Sequence, residues 1–377
     1  MIALKVYFDN AATTAVCSEA ADAVLSAMTD TYGNPSSLHL MGMAAENIVK
    51  NARAEIANKL SVPAECIYFT SGGTESNNTA IFGACLKTNL KGNRIITTKA
   101  EHPAVLEPFK VLAGKGFDVQ YINLLPSGII DLSHLEELLT PDTVFVSIMG
   151  INNETGCIMP VADAVSLIRR KSPNALIHSD MVQAFCKTPM ADVDLASVSS
   201  HKVHGPKGIG ALYIKKGIHI NPLMFGGGQE KSFRSGTENV PGIAGFGAAV
   251  KKADIAKDNE HTAMLKNALI NAISDIPDIQ INGEGTSSHV LNVSFKGVRS
   301  EVFLHTLESN GIMVSSGSAC SSNKPSPSHV LTAMGVDHKA IDSAIRFSFS
   351  VYNTIDEINF CADVIKKELP VLRRIMR

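Results

Sequence analysis

Short apolar runs alternate with longer stretches of helical periodicity through the first two thirds of the chain. Runs rich in β-branched and other apolar residues predict strands at 66–70, 94–98, 117–122, 143–149, 175–179, 195–199 and 211–214. Apolar residues three and four positions apart predict helices over 44–60 and 161–170. This alternation is typical of an α/β fold with a mostly parallel central sheet and helices on both faces.

The pattern changes near residue 237. A helical stretch containing Ile243, Phe246 and Val250 leads into a second one at 264–273, followed by predicted strands at 290–295, 312–315 and 345–349 and a last helix at 356–369. We therefore expect a large domain over 14–257 and a smaller α+β domain over 258–377, with residues 1–13 packing on the smaller one.

Composition and charge narrow the choice of partners. Of the 377 residues 45% are hydrophobic, and 34 basic side chains nearly balance 36 acidic ones. Such a chain can form a core, and it lacks the basic excess of a nucleic-acid binder. The first ten residues lack the apolar stretch of a signal peptide, and no later run reaches the ~18 residues of a membrane span. We expect no nucleic-acid or membrane partner and a cytoplasmic location.

Seven cysteines occur without any C-x-x-C pair, which disfavours both a disulfide framework and a closed zinc site. His201 and His204 have metal-like spacing, but no matching ligand motif follows, so no metal is expected. Cys320 differs from the others because it lies among small hydroxylated residues, near Lys324. An exposed thiol close to a lysine fits a nucleophile or sulfur carrier, although a lone cysteine is usually inert.

Three segments carry candidate chemistry. Thr-Ser-Gly-Gly-Thr-Glu-Ser at 70–76 follows a strand and opens a helix, so Gly73 and Thr74 fit a phosphate cradle, or simply a capped turn. Asp180 ends one predicted strand, and Lys202 follows another. Taken alone, the lysine segment also fits a surface loop. Together, a phosphate cradle, a carboxylate and an amine are what pyridoxal 5'-phosphate needs, because the cofactor uses an anchor, a partner for its ring nitrogen and a lysine.

These residues lie within motifs that resemble, in order and nearly end to end, those of the cysteine desulfurases. This family comprises pyridoxal-phosphate enzymes of the class V aminotransferase group with the fold-type I architecture. The matching stretches are YFDNAATT at 7–14, GNPSS at 33–37, the cradle at 70–76, EH at 101–102, NNETG at 152–156, GGGQE at 226–230, RSGTEN at 234–239 and the Cys320 segment.

The resemblance implies a role for each matching cofactor residue. Lys202 would bind the cofactor covalently and later move the substrate Cα proton. Asp180 would pair with the pyridine nitrogen, Gln183 with the phenolic oxygen, and His102 would stack on the ring. Phosphate contacts are implied for Gly73, Thr74, Ser199 and His201, and for Thr237 of the second subunit of a homodimer.

The resemblance also implies the reaction. Arg346, with Asn153 beside it, would clamp the carboxylate of L-cysteine, and Cys320 would take its sulfur as a persulfide, leaving L-alanine. An acceptor protein such as an iron–sulfur scaffold would receive the sulfur, because the Cys320 segment resembles the long-loop, iron–sulfur and nitrogenase-type branch. Two alternatives stay open: a selenocysteine lyase or aminotransferase of the same fold, and an inactive sulfur-relay or assembly scaffold.

Several positions depart from the family pattern. Met159 replaces a common glutamine, and Phe349-Ser350 replaces a common Leu-Gly. Met181 stands where alanine is common, and we expect its thioether against the cofactor ring, opposite His102. Ser200 stands where glycine or alanine usually precedes the His-Lys pair.

Overall fold

The computed structural model describes residues 5–87, 90–316 and 327–375. The helices in these ranges are α1 Ser18–Thr29, α2 Leu40–Leu60, α3 Gly73–Cys85, α4 Pro103–Ala113, α5 Leu132–Leu138, α6 Val161–Lys171, α7 Val240–Lys252, α8 Ile255–Ile273, α9 Ser300–Ser309, α10 His329–Ala333, α11 His338–Asp342 and α12 Ile355–Ile375. Among them, none combines the length and apolarity needed to cross a membrane.

The strands fall into three sheets. They are β1 Val6–Tyr7, β2 Ile67–Thr70, β3 Arg94–Thr98, β4 Asp118–Ile122, β5 Thr143–Ser147, β6 Leu176–Asp180, β7 Leu195–Ser199, β8 Gly210–Ile214, β9 Ile279–Ile281, β10 Val290–Phe295, β11 Ile312–Met313, β12 Ser315–Ser316 and β13 Ala344–Ser348. The largest sheet has the order β2-β8-β7-β6-β5-β3-β4. Only β8 runs antiparallel to its neighbours there, which confirms the predicted mostly parallel sheet.

Apolar side chains cover both faces of this sheet. Ile96 and Val146 point into a core shared with α2, α6 and α7, whereas their strand neighbours Ile95 and Phe145 pack with α3 and α4. Successive residues of a strand face opposite sides, so strands buried on both faces read as continuous apolar runs. For this reason the seven strands are recognisable in the sequence.

A second core lies in the C-terminal part of the chain. It is built on the antiparallel sheet β12-β13-β10-β9 and includes Phe295, Phe303 and Phe347. Strand β1 belongs to it, because β1 pairs in parallel with β11 and places Val6 and Phe8 among these residues. The division of the chain at residue 257 stays a prediction, since α8 runs through that position.

Candidate active site

A cavity of about 430 Å³ opens where β6 and β7 end. These two strands are parallel neighbours, so their carboxyl ends meet at one edge, where open α/β sheets bind ligands. Ten predicted site residues line the cavity: Gly73, Thr74, His102, Asn153, Asp180, Gln183, Ser199, His201, Lys202 and Arg346. The N-terminal segment supplies three further lining residues, namely Asp9, Ala11 and Ala12.

Asp180, the last residue of β6, is a buried carboxylate with neutral partners. Its Oδ2 accepts a hydrogen bond from Asn77 Nδ2 at 2.7 Å, and its Oδ1 accepts one from the backbone N–H of Val182 at 2.9 Å. Asn77 lies on α3, and its own Oδ1 has no hydrogen-bond partner among the described residues. Because both donors are neutral, neither compensates a negative charge on Asp180. This suits a residue that stabilises a positive charge on a bound ring.

Lys202 closes a single 3₁₀ turn, Ser200–Lys202, that directly follows β7. Its Nζ donates hydrogen bonds to the carbonyl oxygens of Ala11 and Ala12, the latter at 2.7 Å. Behind it, Lys187 Nζ donates to the backbone oxygen of Lys202 at 3.2 Å. The amine of Lys202 is therefore held at the cavity by the N-terminal segment, which sequence reasoning did not assign to the site.

Burial keeps two histidines of the cavity neutral. Burial lowers the pKa of His102, an effect that Asp180 opposes and that Lys202 and His329 reinforce. The Nδ1 of His102 accepts the N–H of Ala104 at the start of α4, which places its ring proton on Nε2. Burial, followed by the charges of Lys202 and Lys207, lowers the pKa of His201 to about 4.

The opposite wall combines a helix start with hydroxyl groups. Helix α3 begins at Gly73, and a Cβ atom at this position would lie 2.5 Å from Val182 Cγ2, so the backbone approaches too closely for a side chain. Thr74 is exposed on the same turn, and Ser199 lies opposite it at the end of β7. Free N–H groups at a helix start and nearby hydroxyls favour an anion such as a phosphate.

The expected position of Met181 is wrong. Asp180 and Val182 line the cavity, whereas Met181 is 3% exposed within the core, where its Sδ lies close to Gly150. The cause is the strand-like alternation of side chains, which continues past the end of β6 and turns Met181 away from the cavity. Val182, rather than Met181, is thus the neighbour of Asp180 that lines the cavity beyond the end of β6.

Gln183 is oriented by two protein contacts. Its Nε2 donates to the backbone oxygen of Ala11 at 2.7 Å, the same oxygen that accepts from Lys202. Its Oε1 lies 3.4 Å from Nε2 of His289, a buried residue of the C-terminal core region. Both contacts come from segments distant in sequence.

At the other end of the cavity Arg346 is 4% exposed. Its Nη1 donates to the backbone oxygen of Asn153 at 2.8 Å, and its Nη2 lies 2.8 Å from Asp9 Oδ1 in an ion pair. Its Nε is buried without a hydrogen-bond partner among the described residues. The structure thus brings Asn153 and Arg346 together and adds Asp9, which sequence reasoning quoted only as part of the matching stretch at 7–14.

Two buried carboxyl groups, neither of which sequence reasoning singled out, follow directly on or precede residues that line the cavity. Glu101 is fully buried, and burial raises its pKa to about 8 despite hydrogen bonds from Thr98 and the N–H of Met149. Burial also raises the pKa of Glu154, whose Oε2 accepts a 2.5 Å hydrogen bond from Ser328. In the sequence, the only indication of these two residues was that they lie within the matching stretches EH at 101–102 and NNETG at 152–156.

Two predicted residues lie elsewhere. Thr237 lines a separate cavity of about 250 Å³ together with Ser71 and Arg234. Cys320 lies outside the described residues. The six cysteines within them are all buried.

The whole chain resembles proteins of one family. The Aminotransferase class-V family model matches residues 6–360. A relative named cysteine desulfurase IscS, from Methanosarcina thermophila, is 40% identical over 378 residues that cover 98% of this chain and 93% of that protein.

Solved structures agree with this similarity. A NifS-like protein matches with a TM-score of 0.92 at 38% identity, covering 98% of this chain and all of that one. A structure described as SspA in complex with cysteine matches with a TM-score of 0.83 at 34% identity, over 93% of this chain and 100% of that one.

Proposed function

Since this chain belongs to the cysteine desulfurases of the class V aminotransferase family, we propose that it converts L-cysteine to L-alanine and takes the sulfur as a persulfide on Cys320. The observation that carries this proposal is the convergence of Asp180, Lys202 and Arg346 on one cavity. The names of the relatives favour a desulfurase over both a selenocysteine lyase or aminotransferase and an inactive scaffold.

Pyridoxal 5'-phosphate is the cofactor of this family, and the cavity fits it. The start of α3 at Gly73 lines the cavity and favours a phosphate, Asp180 offers a carboxylate whose hydrogen-bond donors are neutral, and Lys202 offers an amine. When bound, the cofactor supplies an electron sink for the loss of a proton from the substrate Cα. Gly73, Thr74, Ser199 and His201 would hold its phosphate, and Gln183 its phenolic oxygen.

Three residues around the ring would have different roles in holding or transferring protons. Asp180 would stabilise a proton on the ring nitrogen, because Asn77 and a backbone N–H, the hydrogen-bond donors to its carboxylate in the described part of the chain, are neutral. Lys202 would hold the cofactor, and its amine would accept the proton from the substrate Cα. His102 is neutral near pH 7, since burial lowers its pKa, so it can stack on the ring without adding a competing positive charge.

Arg346 and Asn153 form the substrate end. A guanidinium group binds a carboxylate through two parallel hydrogen bonds, so Arg346 fixes the α-carboxylate of L-cysteine and directs its thiol away from this end. The relative SspA is described in complex with cysteine. Specificity for L-cysteine then depends on the group that receives the thiol sulfur.

Cys320 is the thiol best suited to receive that sulfur. Burial raises the pKa of the thiols of Cys66, Cys85, Cys157, Cys186 and Cys361. The thiolate is the reactive form, so these cysteines are poor nucleophiles near pH 7. Attack by Cys320 on the substrate sulfur forms an S–S bond and breaks the C–S bond, and the remaining carbon fragment is protonated and leaves as L-alanine.

Two partners complete the proposal. Leu38, Leu40 and Phe225 are 97, 83 and 82% exposed, and exposed apolar side chains of this size favour an interaction surface. This supports a homodimer, in which Thr237 would reach the partner's phosphate site. The persulfide would pass to a sulfur-acceptor protein such as an iron–sulfur scaffold in the cytoplasm.

Mass spectrometry after brief exposure of the holoenzyme to L-cysteine tests the proposal. We expect one added sulfur on Cys320 and an equal amount of L-alanine. Cys320→Ser should abolish both the added sulfur and sustained turnover while the cofactor absorbance persists, whereas the control Cys66→Ser should change neither.

Three results would favour the alternatives. Sulfur release retained by Cys320→Ser would indicate a lyase in which this thiol is incidental. Amino transfer that depends on a 2-oxo acid would indicate an aminotransferase. Failure to bind pyridoxal 5'-phosphate would indicate a scaffold.

A further inference from the structure

The fold itself builds the ion pair between Asp9 and Arg346. Asp9 forms a parallel β-bridge with Ser348, two residues along β13 from Arg346. Ser348 donates its backbone N–H to the oxygen of Phe8 at 2.7 Å, and its hydroxyl accepts the N–H of Ala11 at 2.8 Å. Contacts on both sides of Asp9 therefore fix its backbone beside the arginine. The ion pair thus follows from the backbone fold at this end of the cavity.

The positive charge of Arg346 is balanced by the carboxylate of Asp9 before any substrate binds. Among the described residues, the charged side chains that line the cavity are Asp9, Asp180, Lys202 and Arg346. Asp180 lies with Asn77 at the cofactor end, whereas Asp9 is in direct contact with Arg346. The Arg346 side chain is 5% exposed and that of Asp9 22%, so solvent screens their interaction less than it would at the surface.

A substrate carboxylate must therefore bind an arginine that already has a carboxylate partner. We propose that Asp9 sets the affinity of this site for α-carboxylates by competing with the ligand for Arg346. This inference rests on the proposed function, in which Arg346 receives the carboxylate of L-cysteine. Asp9 lines the cavity, so its carboxylate also lies close enough to repel that of the ligand.

The effect applies equally to substrate and product. L-Cysteine and L-alanine carry the same α-carboxylate, so a repulsion at Arg346 weakens both without changing the barrier between bound states. A site with Arg346 uncompensated would hold alanine longer and would enclose an unpaired buried cation between turnovers. Asp9 thus favours product release and keeps the arginine stable in the free enzyme.

A purely positioning role for Asp9 predicts the opposite sign. If Asp9 served only to orient Arg346, its removal would misplace the guanidinium group and weaken carboxylate binding. Asn153 provides a second contact to Nη1 that persists when Asp9 is changed, so the arginine keeps one anchor. The direction of the change in affinity therefore separates competition from positioning.

The experiment measures binding of L-alanine to the holoenzyme by calorimetry. For Asp9→Asn we expect a dissociation constant lower by about tenfold, which lies between the limits for two charges ~4 Å apart in water and near a protein surface. The KM for L-cysteine should fall by a similar factor, and kcat should not rise. Asp9→Glu keeps the charge and should stay close to the wild type.

Asp118→Asn is the matched control, because Asp118 pairs with Arg94 at 2.6 Å on the edge strand β4, outside the residues that line the cavity. It should leave alanine binding unchanged. Asp9→Ala also removes the charge and replaces Asp9→Asn if that variant does not fold. Unchanged or weaker alanine binding in a folded, cofactor-loaded variant of either kind would overturn the inference.

Alanine binding requires no sulfur transfer, so the two proposals fail separately. Tighter alanine binding in a protein that forms no persulfide would leave the role of Asp9 intact and remove the desulfurase. Normal persulfide formation with weaker alanine binding would support the desulfurase and overturn the proposed role of Asp9.

Discussion

The two ends of the cavity are built in different ways. The cofactor half, formed by Gly73, Asp180, Ser199 and Lys202, comes from strand ends and the turns that directly follow them. The substrate half, formed by Asp9, Asn153 and Arg346, comes from three segments that are distant in the sequence. Short local motifs thus supply the residues of the first half, whereas the contact between Asp9 and Arg346 exists only after the N-terminal segment has packed against β13.

The partners of the charged groups differ in the same way. In the cofactor half Asp180 has neutral donors, Asn77 and a backbone N–H, so its charge is available to a permanently held group. In the substrate half Arg346 is paired with a full opposite charge. A compensated arginine suits a ligand that must bind and leave in every turnover, and an uncompensated carboxylate suits one that stays.

The largest expected effect is the loss of the charge in the cofactor half. Asp180→Asn removes the group that stabilises a proton on the ring nitrogen, so kcat should fall by about 10²–10³, equivalent to ~3–4 kcal/mol of barrier. The KM for L-cysteine should change little, because Arg346 is untouched. Steady-state kinetics of the holoenzyme measures both.

Asp194→Asn serves as its control. Asp194 is also buried at the large sheet, but it pairs with Arg169 at 2.6 Å and does not line the cavity. Its kcat should match the wild type. A normal kcat in Asp180→Asn would show that the proposed division between the two halves is wrong.

A smaller effect is expected from the substrate half. Arg346→Lys keeps a positive charge but loses the paired donors that hold a carboxylate and contact Asp9 and Asn153, so KM should rise by about 10–100-fold. The absorbance of the bound cofactor should be unchanged, since no cofactor-half residue is altered. A shifted absorbance with an unchanged KM would mean that Arg346 acts on the cofactor and not on the substrate.

The last prediction concerns the pH dependence of stability, to which the buried Glu101 beside His102 contributes. Its pKa rises from 4.5 to about 8 on burial, so the folded protein keeps a proton that the unfolded chain releases. Stability should therefore fall as pH rises from about 4.5 to about 8, with a slope of at most ~1.4 kcal/mol per pH unit from this group. Glu101→Gln removes this contribution.

The difference in unfolding free energy between Glu101→Gln and the wild type should therefore increase in favour of the variant across that range and then level off. Urea unfolding at several pH values measures it. The exposed Glu107, changed to glutamine, provides a control that should show no such trend. A difference that does not vary with pH would mean that Glu101 is ionised in the folded protein.

Elements buried on both sides were predictable, and those stabilised by distant contacts were not. Strands β3, β7 and β10 occur where apolar runs predict them, because strands covered on both faces are rich in apolar residues. The two-residue strand β1 escaped prediction, since Val6 and Tyr7 pair with Ile312 and Met313, which are far from them in the sequence. The position of Met181 was wrong because the resemblance gave the residue but not the side to which its side chain points.

The sequence by itself determined the family, the fold class and the residues at strand ends, because glycine turns, strand-end carboxylates and the lysine segment are local patterns with specific chemistry. Only the tertiary structure decided which charged and polar groups are in contact. The pairing of Asp9 with Arg346 and the contact of Lys202 with the oxygens of Ala11 and Ala12 both require the N-terminal segment to cross the cavity. Electrostatic interactions depend on distance in space, and separation along the chain does not reveal it.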